Sequence, residues 1–280
     1  MDTDSGHGCR TRSVADSTGG GILHSKAIRL RDETQEGGQR LFLPRLDTLS
    51  HHQRRLWTEL RTTPPRFVLY GGTALALRLA HRRPDDFSFL SAEPFDPLRL
   101  LDQVPYLRGA EVIRRGRDKL TCIVDRGGIV RVSFAGGGVR RRVEDPEFAE
   151  PPGIEVASLV DLGAATAQAV QSRSSAKDYL DMDAILRLRG ISLSEALGAA
   201  TAVFGDRFNP MLTLKALTFF GDGDLHTVPG SVRERLVRAV QEVDPDRIPQ
   251  LIARPGLLPG EEPDAPRRRT MRLPVRKLPG

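Results

Sequence analysis

The segment that most restricts how this chain folds is a short apolar run, Phe67-Val68-Leu69-Tyr70, that stops at Gly71-Gly72-Thr73. Four consecutive apolar residues, two of them aromatic and one β-branched, read as a buried strand. Two glycines then break the strand. From Ala74 to Ala80 the Ala/Leu-rich composition favours a helix, and Arg83-Pro84 ends it, because proline removes a backbone donor and disfavours helix before it. Asp85 to Leu90 alternates as a second strand, with Asp86, Ser88 and Leu90 on one face and Asp85, Phe87 and Phe89 on the other. Strand, glycine turn, helix and acidic strand therefore follow one another within about 25 residues.

The flanks extend this unit. Leu49 to Leu60 has an apolar side of Leu49, Leu56, Trp57 and Leu60, and Thr62-Thr63-Pro64-Pro65 closes it as a short helix. Leu120–Val124 and Ile129–Phe134 form a hairpin across Asp125-Arg126-Gly127-Gly128. Gly136-Gly137-Gly138 ends that hairpin, and Pro146, Pro151 and Pro152 mark a loop. After Ile154 the pattern turns helical. Ser158 with Asp161, and Ser192 with Glu195, are capping signals opening helices that run to about Arg173 and to Phe204. Lys177–Arg189, Pro210–Phe220 and Val232–Val243 supply three more. The expected architecture is α+β: a small mixed sheet in residues 41–152, then a helical region in 153–254. Residues 1–40, rich in Gly, Ser, Thr, Asp and Arg, and the Pro/Arg-rich residues 255–280 are expected to be disordered.

A net charge of +6 and a pI near 9.8 favour polyanionic partners, and much of that charge sits in Arg267-Arg268-Arg269 through Arg276-Lys277. Two cysteines, Cys9 and Cys122, are too few for a disulfide scaffold and read as free thiols in a reducing compartment. No run of 18 apolar residues and no N-terminal apolar segment is present, so a soluble cytoplasmic protein, with no membrane partner, is expected.

The chemistry lies at the glycine turn. Glycines at a strand-to-helix junction let backbone N–H groups approach an anion, and the following helix start presents unpaired donors to a phosphate. Phosphates beside carboxylates imply a Mg²⁺ between them. Nucleotidyl transfer uses two carboxylates at i and i+2 on one strand, since that spacing sets both on one face. Asp86 is present, but its i+2 partner is Ser88, a neutral and weak ligand for a hard cation. A second charged group is Arg173-Ser174-Ser175-Ala176-Lys177-Asp178-Tyr179-Leu180-Asp181. On a helix Lys177 and Asp181 are i,i+4 neighbours and Asp178 and Asp181 are i,i+3 neighbours. This segment reads either as a solvated ion-pair face or as groups that hold a triphosphate and position a base. His81 is either a phosphate or base contact or a C-terminal helix cap, and Arg82 and Arg83 beside it read as solvated, with phosphate contact as the alternative.

Together these segments resemble the AbiEii-type nucleotidyltransferase family, the abortive-infection and toxin–antitoxin toxins of the minimal, polymerase beta-like nucleotidyltransferase fold. The resemblance is carried by Tyr70 to Leu77, His81-Arg82-Arg83, Asp86-Phe87-Ser88-Phe89, Gly153 to Leu159, Lys177-Asp178-Tyr179-Leu180-Asp181, Phe208-Asn209-Pro210 and Leu214 to Phe220. It implies transfer of a nucleoside monophosphate from an NTP to an acceptor, often RNA of tRNA-like form, with Mg²⁺ and with a cognate antitoxin as partner. Carried over by position, Gly71, Gly72 and Thr73 cradle phosphates, with His81, Arg173 and Asp178 also on the nucleotide. Asp86 binds metal, and Ser88, Lys177 and Asp181 complete the catalytic set. The family's second strand aspartate is Ser88 here, its helical lysine is Thr166, and Ser133 stands where a third carboxylate could sit. A catalytically degenerate nucleotide- or partner-binding homologue, and an RNA-binding module acting through the basic tail, are the alternatives.

Overall fold

The computed structural model describes residues 40–137, 140–188 and 190–260. In chain order the elements begin with β1 (Leu41–Phe42), α1 (His51–Trp57), β2 (Val68–Tyr70), α2 (Gly71–Leu79), β3 (Asp86–Leu90) and α3 (Pro97–Gln103). β4 (Glu111–Gly116), β5 (Lys119–Asp125), β6 (Ile129–Ala135), β7 (Arg141–Arg142), β8 (Glu147–Ala149) and β9 (Ile154–Val156) follow. The chain then becomes helical: α4 (Leu159–Ser172), α5 (Ala176–Leu188), α6 (Leu193–Phe204), α7 (Pro210–Leu217) and α8 (Gly230–Gln241), with β10 (Arg254–Pro255) last.

Eight strands make one mixed sheet in the order β1-β8-β9-β2-β3-β6-β5-β4, and β7 pairs with β10 separately. The four strands legible from sequence are β2, β3, β6 and β5, and they lie side by side as its centre. β2 runs antiparallel to β3 and β3 parallel to β6, with the β5–β6 hairpin closing on that side. Alternation in β3 falls as its sequence requires: Phe87 and Phe89 are buried, while Asp86, Ser88 and Leu90 are half-buried on the opposite face. The buried face is an aromatic core. Trp57 stacks on Phe87 at 6.2 Å between ring centroids, and Phe89 stacks on Phe134 at 5.3 Å. Leu49, Leu56, Trp57 and Leu60, the apolar side read from sequence, are all buried here, though α1 itself is shorter, with a separate 3-10 turn at Leu60–Thr62.

Several elements lie where the sequence pattern is silent or points elsewhere. β4 is exposed along its whole length, so no burial alternation marks it. The loop expected around Pro146 contains β8, and β9 precedes the helical region where a helix was expected to begin. These strands are three residues long, too short to show a period. α2 starts at Gly71 rather than Ala74, so both glycines belong to its first turn. The capping signals are realised: Ser158 accepts from Asp161 N–H, and Ser192 with Glu195 forms a reciprocal box.

A second apolar cluster fills the helical region, built from α4 to α8. α4 and α5 contribute to both clusters, with Leu162, Ala184 and Ile185 on the sheet side and Ala164, Ala167, Tyr179 and Met182 on the helical side. These two helices therefore hold the sheet and the helical region together. Cys122 is buried in the sheet, and burial pushes its thiol up in pKa; Cys9 and the two expected disordered tails lie outside the described residues, apart from Arg40 and residues 255–260.

The aromatic face sets an expectation. Trp57 is 1 % exposed, and Trp57→Ala should cost roughly 3–5 kcal/mol, since a large buried ring leaves a cavity that the strands cannot close. Urea denaturation of the two proteins measures it.

Candidate functional site

Gly71 follows the last residue of β2 and adopts φ +75°, a left-handed conformation that side-chain-bearing residues disfavour. This turn folds the start of α2 over β3: a Cβ on Gly71 would lie 3.9 Å from the Ser88 Cβ. The N-cap, Tyr70, offers no side-chain hydrogen bond, so no side chain of the cap occupies the donors of the first turn. Thr73 is buried, and its hydroxyl donates to the backbone carbonyl of Asp86, tying the helix start to the start of β3. Its role is therefore to fix the elbow; the hydroxyl itself is committed.

On the strand face below, the Ser88 hydroxyl donates to Asp86 Oδ2 at 3.0 Å. Sheet register carries the row onward. Ser88 pairs with Ser133 and Ser133 with Thr121, whose hydroxyls are 3.3 Å apart, while Asp86 pairs with Arg131. Across three strands the positions level with Ser88 are hydroxyls, so Asp86 is the carboxylate that this face presents. Among the described residues no group of three or more His, Cys, Asp or Glu is arranged to hold a metal ion. This donor set does not fit two metal ions. It does fit the mode in which Mg²⁺ is bound through one or two carboxylates together with substrate phosphates.

α5 brings the second charged segment against this site. Its first turn is capped from a distant loop, with Asp224 accepting from the Ala176 N–H at 2.7 Å. Asp178 and Asp181 are buried, and each is taken by an arginine through two hydrogen bonds. Arg173 reaches Asp178 at 2.6 and 2.7 Å, and Arg82 reaches Asp181 at 2.6 and 2.8 Å. His81 Nε2 donates to the same Asp181 carboxylate at 2.6 Å. Two sequence expectations are corrected here. His81 is not the helix cap: Ala80 in left-handed conformation ends α2, and the His81 side chain, 4 % exposed, is bound to Asp181. Arg82 is not solvated, because Asp181 lies within reach only once α5 packs on α2. Asp181 is correspondingly committed to organising these two side chains.

Gly72 belongs to the same arrangement. A Cβ there would sit 2.2 Å from Arg82 Nη2 and 3.3 Å from Asp181 Oδ2. The second glycine therefore admits the Arg82–Asp181 pair against the elbow. Lys177 does not pair with Asp181 one turn along; it bonds Asp85 just before β3, in an exposed contact. Exposed pairs of this kind are weak and exchange readily. Arg173 remains 66 % exposed at its side chain and senses Asp86 as well as Asp178. Thr166, where the family's lysine is expected, is buried and donates to the Leu162 carbonyl at 2.8 Å. The elbow, Asp86, Arg82, Arg173 and Lys177 thus converge, with cationic and N–H donors more numerous than carboxylates free to hold a cation.

Burial by itself raises the Asp181 pKa, but the hydrogen bonds from His81 and Arg82 outweigh it, and the net shift is below the ordinary 3.8. A depressed carboxylate contributes stability that is present above its unfolded pKa and lost as pH falls through the folded value. Stability should therefore decline below about pH 4, and Asp181→Asn should remove this acid limb while costing about 3–5 kcal/mol at neutral pH, because Arg82 is left charged and unpaired. Denaturant midpoints from pH 3 to pH 7 provide the measurement.

Comparison with known proteins gives the chain's family. The family described as "Nucleotidyl transferase AbiEii toxin, Type IV TA system" matches residues 55–256. A protein of Aquifex aeolicus (strain VF5), aq_aa25, is 28% identical over 185 residues, covering 63% of this chain and 87% of its own length. Among solved structures, MenT4, a nucleotidyltransferase toxin of Mycobacterium tuberculosis H37Rv, superposes with a TM-score of 0.51 at 17% identity, covering 69% of this chain and 83% of its own. That likeness concerns the fold. With the family match spanning most of the described residues, the chain belongs to the AbiEii nucleotidyltransferase toxin family.

Proposed function

We propose that the chain binds an NTP at the Gly71–Gly72 elbow and transfers its nucleoside monophosphate to an acceptor hydroxyl, RNA being the expected acceptor, at a rate held down by Ser88. The observation that carries this reading is the Asp86 carboxylate lying under a glycine elbow whose helix start has no capping side chain. The triphosphate's charge is met by the first-turn N–H groups, by the Arg173 guanidinium and by Lys177, which exchanges Asp85 for phosphate oxygens. Arg82, fixed by Asp181, adds positive charge beside Gly72 without moving. A magnesium ion brought in on the phosphates would be held by Asp86 with the Ser88 hydroxyl beside it, where it neutralises charge on the phosphate oxygens. The chain's own part is positioning: it aligns the phosphate against the acceptor and leaves the second carboxylate's work undone.

The family's description as a toxin of a type IV toxin–antitoxin system supports a cognate antitoxin as a partner. No described helix is long and apolar enough to cross a membrane. A non-catalytic nucleotide-binding role is the second reading, favoured by the hydroxyl row at Ser88, Ser133 and Thr121.

Incubation with labelled NTPs, Mg²⁺ and total RNA should transfer label, and Asp86→Ala should abolish it. Ser88→Asp should raise the rate on the order of tenfold or more, by restoring the paired carboxylates that ion binding uses. Equal labelling by the unaltered chain and Asp86→Ala would defeat the transfer reading. Labelling by Ser88→Asp alone would select the non-catalytic one.

A further inference from the structure

Most buried arginines here meet a carboxylate: Arg78 meets Glu147, Arg82 meets Asp181 and Arg142 meets Asp145. Arg140 does not. It is half-buried, its Nε is enclosed without a hydrogen-bond partner, and among the described residues no carboxylate forms an ion pair with it. Burial first, and then the like charge of Arg207, lower its pKa, although a guanidinium stays protonated at neutral pH. Enclosing an uncompensated cation is costly, and an anion beside it removes that cost.

Arg140 lines a cavity of about 200 Å³, together with Arg207, Tyr70, Leu90, Phe204 and Leu257. With Arg141, three cations thus border a space whose other walls are mainly aromatic and aliphatic. Asp161 also borders it, but its carboxylate already accepts from the N–H groups of Val143 and Glu144 and from the Ser158 hydroxyl. The cavity adjoins the elbow: Tyr70 is the residue before Gly71 and pairs with Ser88, and Leu90 shares the strand face of Asp86 and Ser88. Asp86 and Leu90 are separated by roughly 13 Å along the strand, at about 3.3 Å per residue. Pockets that enclose a whole small-molecule ligand run from roughly 300 to 1,000 Å³. This one is smaller, so it has room for the ring of one nucleotide rather than for a whole NTP.

We propose that Arg140 and Arg207 form an anion subsite for one nucleoside phosphate ester, its phosphate on the two guanidinium groups and its ring in the cavity lined by Tyr70, Phe204 and Leu257. The nucleoside part rests on the nucleotidyl-transfer reading; the phosphate part does not. The ester is supplied either by a free nucleotide or by the end of an RNA strand.

Isothermal titration of the full chain with AMP, and separately with a 5′-phosphorylated trinucleotide, tests this. At least one should bind, and Arg140→Gln should weaken it about tenfold, the loss of one charge-assisted phosphate contact. Arg140→Lys should recover part of that loss, and Arg207→Gln should weaken binding less than Arg140→Gln. Binding by AMP identifies a free nucleotide as sufficient, and binding by the trinucleotide alone identifies an RNA end. Because Arg140 has no carboxylate partner among the described residues, Arg140→Gln should leave the Tm unchanged or raised, whereas Arg142→Gln should lower it. Asp86→Ala should keep the Arg140-dependent affinity, and an unaltered chain that transfers no label yet still binds AMP through Arg140 sinks the transfer reading alone. Unchanged affinity in folded Arg140→Gln, or no binding of either probe by the unaltered chain, overturns the subsite.

Discussion

One buried carboxylate organises the site. Asp181, on α5, accepts from His81 and twice from Arg82, both of which follow the C-terminal end of α2. A buried charge is tolerated only when its lone pairs are taken up, and three donors do this. The arrangement locks α5 to α2 and so fixes where the start of α5 stands relative to β3. Arg173, Lys177 and Asp178 owe their places near Asp86 to that lock. Gly72 is part of it, since any side chain there would displace the Arg82 guanidinium.

The same arrangement sets positive charge against few carboxylates. Cationic groups and first-turn donors are plentiful around the elbow, whereas one carboxylate faces it from the strand. Hydroxyls at Ser88, Ser133 and Thr121 are satisfied by Asp86 and by one another, so the face is internally consistent without a second acid. A neutral row avoids the like-charge repulsion that two neighbouring carboxylates impose on an empty site. Such a face keeps N–H and cationic donors around the elbow and presents one carboxylate where the family's pattern has two. The Arg140 cavity lies on the same sheet face, beyond Leu90, and extends the run of positive charge along the strand.

Much of this is legible in the sequence alone. Phe67–Tyr70, the glycine pair and Asp86–Leu90 give strand, turn and strand because apolar runs, glycine and period-two alternation act within a few residues. Caps at Ser158 and Ser192 were legible for the same reason, as each hydrogen bond closes within three residues. The strands β8 and β9 were hidden because three residues show no period, and β4 because neither of its faces is buried. Site pairings were hidden differently. Lys177 and Asp181 stand at ideal helical spacing, yet Lys177 bonds Asp85 and Asp181 bonds Arg82, since cross-chain partners offered better geometry than the neighbour one turn away.

The sequence by itself determined the elbow, the acidic strand with its missing second carboxylate, and the family to which they belong. These are local matters: which residues tolerate positive φ, which alternate, and which side chain stands two positions from Asp86. Tertiary structure alone decided that His81 and Arg82 serve Asp181, that Thr73 fastens the elbow to β3, and that Arg140 is half-buried with no counter-charge among the described residues. Each depends on groups brought together from distant parts of the chain, and burial, which sets the strength of such contacts, is a property of the packed molecule.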